Sequence, residues 1–182
     1  MKLGIISHCT IDTIVFNDIE YDVAGGPACY CAFTAKNQKF DVDIYTKFGP
    51  DFPLRDKLDN FNILTEDPLS QQMTTKFKIL LDGAERRLFV QEKCEEIEFV
   101  ENKTDGLIIS PVFDEISLDV YNKIKNTSDF IMLDPQGFLR KKTPDNEILL
   151  ENSKIDLSKI CLLYTSDAAD EGLGVDLGGR RI

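Results

Sequence analysis

The sequence contains few of the residues from which metal centres and disulfide frameworks are built. Its 182 residues include a single His and 5 Cys, and no two cysteines have the Cys-x-x-Cys spacing. A structural zinc ion takes Cys and His ligands at short, repeated spacings, and a disulfide framework needs an even set of cysteines. We therefore expect reduced cysteines, a cytoplasmic protein and no metal site in this chain.

Positive charge and long hydrophobic runs are also scarce. Lys and Arg total 21 against 32 Asp and Glu, which gives a net charge of -11. An acidic surface repels nucleic-acid phosphates and anionic lipids. No uninterrupted apolar run is long enough to span a bilayer, which takes about 20 residues in a helix. We expect neither nucleic acid nor a membrane as a partner.

Two common nucleotide-binding motifs are missing as well. The sequence has no Gly-x-x-x-x-Gly-Lys phosphate loop and no Gly-x-Gly-x-x-Gly turn. The second motif should follow the first strand of a dinucleotide-binding domain. An unrelated nucleotide-binding α/β protein, such as half of a dehydrogenase, is therefore disfavoured.

Short apolar segments alternate with segments of helical spacing. The apolar segments predict buried strands at residues 3–7, 43–46, 107–109 and 130–133. Helices are predicted at residues 28–36, 54–61 and 118–124. This alternation predicts an α/β domain with a largely parallel sheet and helices on both faces.

Two hairpins interrupt the alternation of strands and helices. The first has Asn17-Asp18 between extended segments, and the second has Asp82-Gly83 within alternating polar and apolar residues. Such residue pairs suit two-residue hairpin turns, and the alternation is typical of a strand with one solvated face. We predict a small β lid from strands at about 13–23 and 74–92, an antiparallel flap over one edge of the sheet.

The composition changes abruptly near residue 161. Residues 161–182 contain no Lys and no Asn but 4 of the 11 Gly, and the hydrophobic periodicity ends at Leu163. Residues 162–171 resemble translated sequencing-adapter read-through. Our hypothesis is that residues 161–182 are a non-native tail after a domain of residues 1–160. A disordered native tail is the other interpretation.

Four segments, taken in order, resemble one family of kinases. They are Ser7-His8-Cys9-Thr10-Ile11-Asp12, Gly25-Gly26-Pro27-Ala28, Thr46-Lys47-Phe48-Gly49-Pro50-Asp51 and Asp134-Pro135-Gln136-Gly137-Phe138-Leu139-Arg140. Their order and spacing resemble the N-terminal part of the PfkB/ribokinase carbohydrate kinases. The resemblance extends over residues 1–160. It implies a ribokinase-like, Rossmann-like α/β fold with a β lid, truncated at its C-terminus.

The resemblance also implies roles for particular residues. In the family, an Asp after the first strand accepts hydrogen bonds from sugar hydroxyls, and a carboxylate at the carboxyl end of a parallel strand would lie in the ligand crevice. The residues implied in acceptor binding are Asp12, Gly25, Gly26 and Tyr30, and those on the phosphate side are Asp134, Gln136 and Arg140. Many members have Asn where Tyr30 stands, so we expect a polyol other than ribose or a larger acceptor.

The activity implied by the resemblance is transfer of the γ-phosphoryl group of ATP, with Mg²⁺, to a hydroxyl of a sugar, polyol or nucleoside. The family's Gly-Ala-Gly-Asp-type stretch, which carries the catalytic Asp, and its Asn-x-x-Glu stretch do not occur here. We therefore expect no catalytic residue in this chain, no kinase activity and little binding of ATP or Mg²⁺. The full-length parent is expected to pair through its lid strands. The alternative is a non-catalytic sugar-binding or regulatory module of the same fold.

Overall fold

The computed structural model describes residues 1–64, 68–98, 101 and 103–151, together with the backbone of residues 161–162. In chain order the elements are β1 (Lys2–Ile6), β2 (Thr10–Phe16), β3 (Ile19–Gly25), α1 (Pro27–Asn37), β4 (Asp41–Tyr45), α2 (Arg55–Phe61), β5 (Thr75–Asp82), β6 (Glu85–Glu92), β7 (Gly106–Ile109), α3 (Leu118–Ile124), β8 (Phe130–Leu133), α4 (Gln136–Leu139), β9 (Arg140–Lys142), β10 (Ile148–Leu150) and β11 (Cys161–Leu162). The tail predicted at residues 161–182 lies outside the described residues, except for the backbone of β11.

Five strands of the described chain form a parallel sheet in the order β11-β8-β7-β1-β4. Ile5 in β1 pairs with Ile44 of β4 on one side and with Ile108 of β7 on the other. The chain therefore goes from β1 first to one side and later to the other. At such a reversal a crevice opens at the carboxyl ends of the strands, where open α/β sheets bind ligands.

Helices cover both faces of this sheet, as the sequence predicts. Ile5 lies in a buried cluster with Ala32 of α1 and Leu58 of α2, whereas Ile6 lies in a second cluster with Tyr121 of α3. Successive strand residues point to opposite faces, so the apolar run of β1 supplies both clusters. Burying each large aliphatic side chain contributes about 1.5–3 kcal/mol. Within the described ranges, no helix combines the length and apolar character needed to cross a membrane.

A second sheet, with the order β3-β2-β5-β6, forms the lid. The first hairpin turns at Asn17 and Asp18, whose φ angles of 50° and 60° are those of a type I′ turn. In the second hairpin Asp82 pairs with Glu85. Its turn is therefore Gly83-Ala84, one residue later than predicted.

The prediction that the lid is an antiparallel flap is wrong in one respect. Each hairpin is antiparallel, but their inner strands β2 and β5 are parallel neighbours, with Asp12 opposite Phe77. The two hairpins therefore form one four-stranded sheet. Pairing between segments more than sixty residues apart leaves no local pattern in the sequence, whereas each hairpin turn does.

A buried histidine connects the lid to the parallel sheet. His8, just after β1, has Nδ1 2.9 Å from Thr75 Oγ1 and Nε2 2.8 Å from the carbonyl oxygen of Glu95. A carbonyl oxygen only accepts, so Nε2 carries the proton and Nδ1 accepts from the Thr75 hydroxyl. Burial lowers the pKa of His8, which keeps the ring in this neutral form. The start of β5 is thereby fixed to the end of β1.

A buried carboxylate holds the loop after β7 at the same junction. Glu115 is fully buried and accepts the backbone N–H groups of Val112 at 2.6 Å, Phe113 at 2.7 Å and His8 at 3.3 Å. Three donors around one carboxylate offset part of the cost of burying its charge. The loop that carries Val112 is thereby held beside the lid.

Replacing Glu115 by Gln is expected to lower the free energy of unfolding by about 2 kcal/mol. Glutamine has nearly the same shape, but its NH₂ group would face a backbone N–H that needs an acceptor. Urea unfolding followed by circular dichroism measures the difference. Glu98→Gln, at an exposed position, is the matched control and should change stability by less than about 0.5 kcal/mol. Equal effects of the two substitutions would contradict the proposed role of Glu115.

Candidate functional site

A cavity of about 210 Å³ lies between the lid and the segments that follow the carboxyl ends of β7 and β8. The lid contributes Thr10, Asp12, Phe77, Ile79, Arg86 and Leu88, the start of α1 contributes Gly26, Pro27 and Tyr30, and the segments after β7 and β8 contribute Val112, Gln136 and Arg140. The lining combines an apolar roof with one carboxylate, two guanidinium groups and one amide. Such a mixture suits a small polar ligand with an apolar face.

Asp12 lies in this cavity, although not at the position expected from the sequence. It belongs to the lid strand β2 rather than to the carboxyl end of a strand of the parallel sheet. Its Oδ1 atom is buried and has no hydrogen-bond partner within the described part of the chain. Because a buried acceptor without a donor is costly, this atom is suited to a ligand hydroxyl.

The surroundings of Asp12 have opposite effects on the pKa of its carboxyl group. Burial raises the pKa of its carboxyl group, whereas a hydrogen bond from Thr10 and the positive charges of Arg140 and Arg86 lower it. Burial is the largest of these effects. The carboxylate is therefore less stable in the ligand-free protein than in water, and a donor that reaches Oδ1 would stabilise it.

Gly25 and Gly26 bring the backbone close to Asp12 and to the end of β1. A Cβ atom on Gly25 would lie 2.6 Å from Asp12 Oδ2. Gly26 has a φ of +89°, and a Cβ atom there would lie 2.4 Å from the carbonyl oxygen of His8. A side chain at Gly25 would therefore displace the Asp12 carboxylate, whereas one at Gly26 would meet backbone. The conformation of Gly26 is also one that favours glycine. Gly26 lines the cavity, and Gly25 lies directly behind the carboxylate.

Tyr30 stands at the mouth of the cavity. Its side chain is 57% exposed, and its hydroxyl donates to the carbonyl oxygen of Ala24 at 3.3 Å. The partial burial of the ring and the charge of Asp12 raise the pKa of the phenol, so the hydroxyl remains protonated. A protonated hydroxyl at this position can both donate to a ligand and accept from it.

The three residues expected on the phosphate side do not share one environment. Gln136 and Arg140 line the cavity. Arg140 donates to the carbonyl oxygen of Val112 at 2.9 Å, and its guanidinium carbon lies 5.9 Å from the centre of the Phe77 ring. Asp134 is not among the lining residues. Its carboxylate accepts from the N–H of Gln136 at 3.1 Å and from the Ser110 hydroxyl at 3.2 Å, and it shapes the turn into α4.

Seven lining residues were not among the sequence-predicted candidates: Thr10, Pro27, Phe77, Ile79, Arg86, Leu88 and Val112. Four of them lie on β5 and β6, where the alternation of polar and apolar residues could have identified Phe77, Ile79 and Leu88 as one face. The pairing of β5 with β2 decides that this face is the one that carries Asp12. Val112 and Thr10 have no distinguishing pattern in the sequence.

No group of three or more His, Cys, Asp or Glu side chains in the described ranges is arranged to hold a metal ion. The four cysteines whose side chains are described, Cys9, Cys29, Cys31 and Cys94, are all free thiols.

The fold of this chain is similar to that of several solved kinases. A pyrophosphate-dependent kinase of the ribokinase family, solved with a pyrophosphate analogue and myo-inositol, has 18% identity and a TM-score of 0.67, over 81% of this chain and 54% of its own. A nucleoside kinase from Methanocaldococcus jannaschii has 17% identity and a TM-score of 0.60, over 76% and 53%. Ribokinase from Thermotoga maritima has 15% identity and a TM-score of 0.58, over 73% and 52%.

These similarities establish the ribokinase-like fold, which the resemblance of the four sequence segments predicted. The chain spans about half the length of the kinases that it matches. No protein-family model and no curated protein matches the sequence.

Proposed function

We propose that residues 1–160 form the lid and the acceptor-binding part of an ATP-dependent kinase that phosphorylates a hydroxyl of a sugar or a related polyol or nucleoside. The observation that carries this proposal is the buried, unpartnered Oδ1 atom of Asp12 in a cavity at the reversal point of the sheet. An ionised carboxylate is purely an acceptor, and sugar hydroxyls are donors of matching strength. The shared fold with kinases that act on such acceptors supports it.

Each of the sequence-predicted site residues has a role in this proposal. Asp12 accepts from one or two acceptor hydroxyls, Gly25 and Gly26 let the ligand approach the backbone, and Tyr30 closes the mouth of the cavity. Gln136 and Arg140 lie toward the transferred phosphoryl group. Asp134 acts through Gln136, whose backbone it holds. The apolar roof excludes water, which would otherwise compete for the phosphoryl group.

The phosphate donor and its metal ion belong to the full-length parent in this proposal. ATP supplies the phosphoryl group and Mg²⁺ neutralises its charge when both are bound. The described residues offer a place for the acceptor but no cluster that would hold the ion. The catalytic base is assigned to a Gly-x-Gly-Asp-type stretch of the parent. The 182-residue chain by itself is therefore proposed to bind acceptor without turning over ATP.

The lid also supports the proposal that the parent pairs with a second copy of itself. β3 is an outer strand of the lid sheet, and its outward residues are unusually apolar for a solvated position. Ile19 is 63% exposed and Tyr21 is 51% exposed, with Phe16 of β2 beside them at 46%. A partner lid that covers these side chains would remove an apolar face from water.

The test of the proposed function is acceptor binding by the purified 182-residue chain. Isothermal titration calorimetry with ribose, myo-inositol and adenosine should detect saturable binding of at least one of them. A coupled assay for ADP should detect no acceptor-dependent ATP turnover, because the chain lacks the base. If none of the three compounds binds, the acceptor assignment is wrong.

The second candidate function is a non-catalytic sugar-binding or regulatory module of the same fold. The cavity and the unpartnered Oδ1 atom of Asp12 would serve ligand binding without catalysis equally well. The two proposals differ for the parent. Acceptor-dependent ATP turnover by the full-length parent would exclude the non-catalytic module, whereas binding without turnover there would exclude the kinase.

A further inference from the structure

The cavity is more positively charged than the protein around it. The chain has a net charge of -11, yet two arginines and one aspartate line the cavity, namely Arg86, Arg140 and Asp12. The start of α1 adds to this imbalance. No acidic residue occupies its first turn and no side chain caps it, so the positive end of the helix dipole is not neutralised there.

Arg86 differs from the other basic residues of the second lid hairpin. The Nζ atom of Lys76 lies 2.9 Å from an Asp22 carboxylate oxygen, and that of Lys78 lies 3.0 Å from one of Glu20. Arg87 forms a bidentate salt bridge with Glu147, with N–O distances of 2.7 and 2.9 Å. These three are the remaining Lys and Arg residues of β5 and β6. Within the described part of the chain, Arg86 has no carboxylate partner.

The strand register places Arg86 at a defined distance from Asp12. Asp12 lies opposite Phe77, and Arg86 lies opposite Leu81, four residues further along β5. Four residues correspond to roughly 13 Å of extended backbone. Both side chains nevertheless line the same cavity, so the long arginine side chain covers part of this separation. The distance suits an acceptor whose hydroxyl is held at one end and whose charge lies at the other.

We infer that the acceptor of this site carries an anionic group, a carboxylate or a phosphate, and that Arg86 pairs with that group while Asp12 holds a hydroxyl of the same molecule. This inference rests on the proposed acceptor site and specifies its substrate class. Arg86 is therefore a specificity-determining residue. It provides a planar fork of donors that matches either anion.

The test compares neutral and anionic ligands of matched skeleton. Ribose is compared with ribose 5-phosphate, and glucitol with gluconate, by calorimetry on the 182-residue chain at low ionic strength. The anionic member of at least one pair should bind about tenfold more tightly than its neutral counterpart. The pair that shows the preference identifies the anion as phosphate or carboxylate. The preference should shrink as salt is added, because ions screen the pairing.

Arg86→Gln should reduce the preference to less than about twofold and leave binding of the neutral ligand unchanged. Arg55→Gln is the matched control, because it removes the same charge from α2, outside the cavity lining, and should leave the preference intact.

A preference that persists in the Arg86 variant, or equal affinities within both pairs, would refute this inference but not the proposed acceptor site. Inorganic phosphate that binds as tightly as ribose 5-phosphate would instead assign Arg86 to the donor. If the neutral ligands of the functional test also fail to bind, the acceptor site itself is wrong.

Discussion

Replacing Asp12 by Asn is expected to weaken acceptor binding by about 10- to 100-fold, the range for loss of a hydrogen bond to a charged group. The carboxylate presents a buried Oδ1 atom that has no donor within the described part of the chain. Asparagine keeps the size of the side chain, but it removes the charge and replaces one acceptor oxygen by a donor. Calorimetric titration with whichever polyol binds the wild-type chain measures the change.

Asp22→Asn is the matched control for this experiment. Asp22 lies on the same hairpin, but it faces the opposite side of the lid, where it accepts from the Thr13 hydroxyl and pairs with Lys76. It lies outside the cavity lining. The same chemical change there should alter acceptor affinity by less than about twofold, because exposed ion pairs contribute little. Similar losses in both variants would show that the lid as a whole, rather than the Asp12 carboxylate, is affected.

The same substitution at Asp12 should make the ligand-free protein more stable at neutral pH. Burial raises the pKa of Asp12 in the folded state above its value in the unfolded chain. The folded state therefore binds more protons, and the group costs stability as the pH rises from the unfolded pKa through the folded pKa. Asparagine has no such cost. The stability advantage of the variant should grow across that pH range and then level off, which urea unfolding at several pH values measures. A less stable variant at neutral pH would contradict this assignment.

The fold was predictable because its determinants are local. The apolar run at the start of the chain contains Ile5 and Ile6, which supply opposite clusters, and this is what a strand buried on both faces requires. Pro27 at the first turn of α1 and the turn at Asn17-Asp18 mark boundaries by their own backbone preferences. The first strand, the start of α1 and the turn of the first hairpin could therefore be predicted from their own residues.

The lid and the segment after β8 were predicted less completely, for different reasons. The parallel pairing of β2 with β5 depends on contacts distant in sequence, so Asp12 was assigned to the wrong sheet. The hairpin of β9 and β10 was missed although Thr143, Asp145 and Asn146 are turn-forming residues around its bend. Its strands are only three residues long and have no periodicity to detect.

The candidate site shows the same division between local and distant determinants. Gly26 could be named from the sequence because a diglycine before a helix indicates a close backbone approach. Arg86 could not, because an arginine beside a hairpin turn is usually a solvated charge. Only its position on the face that carries Asp12 makes it a candidate, and that face is defined by the pairing of three strands.

Replacing Gly26 by Ala is expected to lower the free energy of unfolding by about 2–5 kcal/mol, as the sum of two separate costs. A residue other than glycine at a φ of +89° loses about 1–2 kcal/mol. The new Cβ atom would also lie 2.4 Å from the carbonyl oxygen of His8 and 3.0 Å from the backbone N of Thr10. These are backbone atoms that cannot move without displacing the junction of β1 and β2, and overpacking of this kind costs about 1–3 kcal/mol.

Gly83→Ala separates the two costs. Gly83 also has a positive φ, of +59°, but a Cβ atom there would have no neighbour within 4 Å. Its substitution should cost only about 1 kcal/mol, from the backbone conformation alone. Urea unfolding of both variants gives the difference, and failure of the Gly26 variant to fold while the Gly83 variant folds has the same meaning. Equal costs would show that the backbone beside Asp12 can yield. The cavity would then not be held rigidly by the contact between the start of α1 and the end of β1, and a preorganised acceptor site would lose its structural basis.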